Sequence, residues 1–151
     1  MEEKLRKLML AMIAYNNGDA KRIQHFIKVH ALAKLIGEEE KLDAKTLYIL
    51  EAAALTHDIG IRNSEKKYGT CTGKQQEVEG PPEAEKLLQS LGFDAAVTER
   101  VCWLIAHHHT YNNIDSADYQ ILVEAVKTAY SRIFKTQAGK NICRTMYGLA
   151  E

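Results

Sequence analysis

Two adjacent metal-capable side chains, His57 and Asp58, close an apolar segment that glycine then stops: Leu55-Thr56-His57-Asp58-Ile59-Gly60. Imidazole nitrogen and carboxylate oxygen both ligate divalent metals, and a helix end facing a loop can hold a metal while still admitting substrate. As a bare dipeptide, His-Asp is also an ordinary way to end a helix. The same chemistry is concentrated again in His107-His108-His109, and three consecutive histidines rarely have a packing explanation. Between the two lie Arg62, Lys66, Lys67 and Lys74, cations that could meet phosphate or simply solvate a loop.

Helical periodicity supplies the frame. From Glu2 to about Tyr15, Leu5, Leu8, Met9, Met12 and Ile13 recur at three and four, one stripe of an amphipathic helix that Asn16-Asn17-Gly18 ends. Asp19 can cap a second helix, which keeps Lys21, Gln24 and Lys28 on a narrow polar face and is closed by Gly37. Arg22, His25, Val29 and Leu32 share its opposite face, which points His25 into apolar surroundings, while His30 reads as a packing or hydrogen-bonded histidine. Asp43 caps a third helix whose stretch Leu47 to Leu55 is almost unbroken Leu, Ile, Tyr and Ala, so it is central, with His57 and Asp58 at its C-terminal end.

After Gly60 the period breaks down for about twenty residues, through Gly69, Gly73 and Gly80 to Pro81-Pro82, which predicts a long lid or binding loop. Pro82 then suits the first turn of a short helix from Glu83 to Leu91. Another helix starts near Asp94 or Ala96 and carries Val97, Val101, Trp103, Leu104 and Ile105 into the histidines. Ser116 can cap a helix with Tyr119, Ile121, Leu122, Ala125, Ala129 and Ile133, interrupted at Thr136 and Gly139, before a last helix from about Lys140. No stretch alternates as a strand would, so the reading is an all-α chain of six or seven helices, a single domain over residues 1–151.

Twenty basic and twenty acidic residues cancel, which removes the broad electrostatic pull toward a nucleic acid duplex or an anionic membrane. Cys71, Cys102 and Cys143 form no CxxC pair and suit a reducing cytoplasm. The start, Met1 to Asn16, is charged, and no apolar run approaches the ~18 residues of a bilayer span, so neither export nor membrane insertion is expected.

Taken together, Arg22-Ile-Gln-His25-Phe-Ile-Lys-Val29 and Ala53-Ala54-Leu55-Thr56-His57-Asp58-Ile59-Gly60, in this order and on these helices, resemble the first two motifs of the HD-domain superfamily of metal-dependent phosphohydrolases. The resemblance covers roughly Arg22 to Ala125, with residues 1–16 as an added N-terminal helix and 126–151 as a C-terminal helical segment. It implies a helical bundle in which His25, His57 and Asp58 ligate a divalent ion in an open cleft; Mn, Fe, Co, Ni, Zn and Mg all suit such mixed ligation.

Two departures qualify the resemblance. Gln76-Glu77-Val78-Glu79-Gly80 resembles the segment where two-metal members carry a histidine four residues before the glycine, so Gln76 favours one metal. Tyr119-Gln-Ile-Leu-Val-Glu-Ala looks like the last motif, yet the aspartate expected after Glu124-Ala125 is replaced by Val126. Either a deletion weakens the site, or residues belonging between Ala125 and Val126 are absent from the sequence; Glu124 and Asp118 are poor substitutes.

The resemblance thus implies hydrolysis of a small phosphate ester, a nucleotide among the candidates, by metal-activated water. Asp58 would orient or deprotonate that water. His108 or His109 would serve the phosphoryl and leaving groups, and Arg22, Arg62, Lys66, Lys67 or Lys74 would bind substrate. The alternative is a regulatory module that keeps the scaffold and a metal or nucleotide but has lost turnover.

Overall fold

The computed structural model describes residues 2–127 and 134–149. Among these are eight helices and no strand: α1 Glu3–Tyr15, α2 Ala20–Glu39, α3 Ala44–Thr56, α4 Ile61–Tyr68, α5 Gly73–Ser90, α6 Ala95–His107, α7 Ala117–Val126 and α8 Gln137–Tyr147. The all-α reading holds. Ala129 and Ile133, expected to extend the helix after Ser116, lie outside the described residues.

Helix α3 is the centre, as its composition demands: every residue from Ile49 to Thr56 is buried, and α1, α2, α6 and α7 pack around it. Leu50 is fully enclosed, so trimming it to alanine would cost about 2–5 kcal/mol. Its start is fixed by Asp43, whose carboxylate accepts from the Thr46 backbone N–H at 3.0 Å.

Three expectations change. Gly37 does not stop α2, which runs on to Glu39; Gly37 is buried inside it because a Cβ there would stand 2.8 Å from Leu47 Cδ1. The stop comes at Lys41, which takes a left-handed conformation (φ 58°) while the Leu42 N–H donates to the Gly37 carbonyl oxygen at 3.0 Å. The outer side of α2 is also less buried than expected, with Ile27 and Leu35 exposed.

The long loop after Gly60 is two helices, α4 and α5, separated by a turn at Gly69–Thr72. Thr72 and Gln75 form a reciprocal capping box that starts α5. Pro81 and Pro82 sit in the α5 interior, where they deny hydrogen bonds to the carbonyls of Glu77 and Val78. Close packing compensates: a Cβ on Gly60 would stand 2.6 Å from the Gly80 nitrogen, and one on Gly80 would stand 2.6 Å from Ile105 Cγ2. Glycine at both places brings α5 hard against the start of α4 and against α6, so the helix persists through its prolines.

Candidate metal centre

His57 caps the C-terminal end of α3 and is completely buried, with Asp58 following it into the turn before α4. One helical turn back, the Ala54 carbonyl oxygen lies 2.8 Å from His57 Nδ1. A carbonyl only accepts, so Nδ1 carries the hydrogen, and the neutral ring keeps its lone pair at Nε2. His25, near the start of α2, meets it there. The three atoms His25 Nε2, His57 Nε2 and Asp58 Oδ2 stand 3.3, 3.1 and 3.3 Å from one another. His25 therefore does not sit in apolar surroundings: its side chain is about one-third exposed and turned to the polar group.

That triangle fits a metal. Adjacent ligands on a tetrahedral or octahedral centre with bonds of about 2.1 Å are roughly 3.0–3.4 Å apart. The electrostatics agree. Burial alone would raise the Asp58 pKa, but the His57, His108 and His25 rings around it hold the carboxyl well below its ordinary range. Burial opposes a charge on His57, yet the neighbouring carboxylate wins and its pKa is raised. The metal-free group thus attracts positive charge to the place where the three atoms converge.

The histidine run divides three ways. His107 stacks on Trp103 with ring centres 3.9 Å apart and donates from Nδ1 to the Trp103 carbonyl oxygen at 2.7 Å, a packing role after all. His108 is buried and donates from Nδ1 to the Ile105 carbonyl oxygen at 2.6 Å. Its Nε2 has no hydrogen-bond partner and lies 3.8 Å from Asp58 Oδ1, a buried lone pair aimed at the site. His109 leans on Gln76, and burial, then the neighbouring His108, push its pKa down to about 4. Asp58, His108 and His109 form a second group that could hold an ion; among the described residues these two groups are the ones found.

A cleft of about 360 Å³ opens over the first group, lined by Asp19, Lys21, Arg22, His25, Asp58 and Ile61. Of the five expected substrate-binding cations only Arg22 lines it, held by Glu65 at 3.0 Å and Asp19 at 3.5 Å. Arg62 instead donates to the Tyr15 carbonyl oxygen at 2.7 Å, and Lys67 pairs with Glu79 at 2.9 Å. Lys66 and Lys74 are exposed on α4 and α5, outside the cleft lining. Lys21, passed over in the sequence as one more polar-face residue, is in the lining. A larger cleft of about 530 Å³ lies around Pro81, Thr98 and Cys102, and none of His25, His57, Asp58, His108 and His109 lines it.

Neither proposed substitute for the missing aspartate turns to the site. Asp118 is bound to Arg100 at 2.8 and 2.9 Å. Glu124 is buried and accepts from the Thr136 hydroxyl at 2.6 Å and from the backbone N–H groups of Lys135 and Thr136, fixing the start of α8. Helix α7 continues from Ala125 into Val126 and stops at Lys127, which is extended.

The sequence model of the HD domain family matches residues 22–136, from the first turn of α2 through the N-cap of α8. The chain belongs to the HD domain family. Such a domain binds divalent metals and is typical of metal-dependent hydrolases, and here the His25–His57–Asp58 group could hold the ion. No curated protein and no solved structure matches the chain. In this HD domain the described residues include no helix long and apolar enough to cross a membrane.

Proposed function

We propose that the protein is a metal-dependent phosphohydrolase acting on a small phosphate ester, a nucleotide among the candidates. The observation that carries this is the triangle of His25, His57 and Asp58 ligand atoms, with His25 and Asp58 lining an open cleft and His57 buried beside them. His25, His57 and Asp58 would hold the divalent ion, which when bound supplies Lewis acidity at a phosphoryl oxygen and lowers the pKa of water. The chain's own groups do the rest. Asp58 keeps Oδ1 outside the triangle, where it can orient a water or take its proton. His108 donates from Nδ1 to the Ile105 carbonyl oxygen and so presents Nε2 to the site, where it would serve the leaving group. Arg22 offers its guanidinium from the cleft wall, and Lys21 adds a second cation.

A second reading has a specific observation behind it: Asp118 and Glu124 are both committed elsewhere, leaving three protein ligands. On that reading the HD domain binds metal or nucleotide as a regulatory module without turnover. Metal analysis of the purified protein, followed by a panel of phosphate esters assayed with added Mn²⁺ and with chelator, separates the two. Chelator-sensitive hydrolysis that rises with Mn²⁺ supports the enzyme; binding of metal with no hydrolysis across the panel selects the module.

A further inference from the structure

The cleft of about 530 Å³ between α5 and α6 lies apart from the metal centre and has the size of a small-molecule site. Pro81 and Glu85, one turn apart on α5, form one wall of it; Thr98, Glu99 and Cys102 on α6 form the other, and Phe93 comes from the link between the two helices. Thr98 is the exception among the buried hydroxyls described. Thr56 and Ser64 each donate to the carbonyl oxygen one turn back, at 2.8 Å. The Thr98 hydroxyl has no hydrogen-bond partner, although the residue is only 5% exposed. Such a group calls for a partner, and a helical threonine turns between two rotamers, so it can meet one that enters the cleft.

The charge of the lining is one-sided. Glu85 and Glu99 are exposed along it, and among the described residues no lysine, arginine or histidine joins them there. Their field reaches inward: burial, and then the Glu85 charge, push the Cys102 thiol up to about 11. The protonated thiol donates to the Pro81 carbonyl oxygen at 3.5 Å. Glu85, Glu99 and Cys102 are not among the groups whose ligand atoms converge, so the acceptors are too dispersed to grip a bare metal ion. They suit a cation that brings several N–H donors and an apolar body of its own.

We infer that this cleft is a second binding site, for a small primary ammonium carried on an apolar body. Glu85 and Glu99 attract the charge, the Thr98 hydroxyl accepts one N–H, and Pro81 and Phe93 receive the body. The site needs no metal and stands whether or not the HD domain hydrolyses phosphate esters.

Nitrogen-15 NMR of the metal-free full chain at neutral pH tests this by titration with 2-phenylethylammonium, uncharged 2-phenylethanol and anionic 3-phenylpropionate. The ammonium is expected to give saturable shifts centred on Phe93, Thr98 and Cys102, with a Kd in the millimolar range, about 3–10-fold tighter than the alcohol. The propionate is expected to leave these signals in place. Glu85→Gln combined with Glu99→Gln should erase the advantage of the ammonium over the alcohol, and Thr98→Val, which keeps the side-chain shape, should weaken the ammonium more than the alcohol. Five outcomes overturn the inference: no saturable shift, shifts centred away from the cleft, an alcohol or propionate that binds as well as the ammonium, an advantage that survives the double substitution, or folded Thr98→Val that binds the ammonium as the native chain does. The comparison of the three probes uses no substitution, so a variant that fails to fold leaves the test intact.

Discussion

The Nε2 atoms of His25 and His57 face each other at 3.3 Å, with Asp58 Oδ2 completing the triangle. Two neutral imidazoles cannot both present lone pairs across that gap without a positive charge between them. The arrangement is maintained because the rest of the fold dictates both positions: α2 delivers one ring, and the Ala54 carbonyl pins the other.

Asp58→Asn should therefore weaken Mn²⁺ binding by roughly 100-fold or more, since losing an orienting partner alone commonly costs 10–100-fold. Far-ultraviolet circular dichroism should stay unchanged, because Asp58 caps no helix among those described. Calorimetry on the variant decides the matter; near-native affinity would remove Asp58 from the ligand set.

The Asp118–Arg100 pair should shape acid stability. Burial pushes the Asp118 carboxyl up, but the hydrogen bonds and charge of Arg100 outweigh it and hold the pKa below its usual value. The unfolded chain has that pKa near ~3.9, so the stabilisation is complete above it and disappears as pH falls through the lower folded value. Asp118→Asn should cost about 1–3 kcal/mol at neutral pH. Denaturant melts from pH 7 down to pH 3 should show the variant losing less stability on acidification than the native chain; parallel curves would contradict this.

Lys41→Gly should stabilise the protein by about 1 kcal/mol, the cost of holding a side chain in the left-handed region after α2. A rise in Tm of a few degrees is the expected reading. An unchanged or lower Tm would mean that the Lys41 side chain contributes more than its backbone strain.

Gly139→Ala should detach α8, because the added Cβ would run into the Glu124 carboxylate and stand 2.7 Å from the Thr136 hydroxyl. The cost should be about 1–3 kcal/mol, with hydrogen exchange accelerated first in Gln137–Tyr147. Uniform acceleration across all helices would argue that α8 does not open separately.

The sequence carried the central helix and its chemistry plainly, because buried residues on every side of α3 and the cap at Asp43 leave little choice of structure. It misled where an ordinary signal was overridden by packing. Gly37 looks like a stop, but the tight approach of Leu47 needs glycine inside the helix, and Lys41 takes the left-handed turn instead. Gly80-Pro81-Pro82 reads as a breaker, yet contact with Gly60 and Ile105 carries α5 through it. The three histidines were legible as a cluster but not as three different roles, since only the turn after α6 decides which ring faces Trp103, Asp58 or Gln76. Lys21 gave no signal apart from its neighbour Arg22.

Glu124 imposes an order on synthesis. Its carboxylate is enclosed by the core, and the N–H groups and hydroxyl that satisfy it belong to residues 135 and 136, which leave the ribosome 11 and 12 residues later. Until then, closing α7 onto α2 and α3 would bury a charge lacking most of its partners, a cost of several kcal/mol. A nascent chain halted between Glu124 and Thr136 should thus remain open and prone to proteolysis, and the bundle should close only once the start of α8 has emerged.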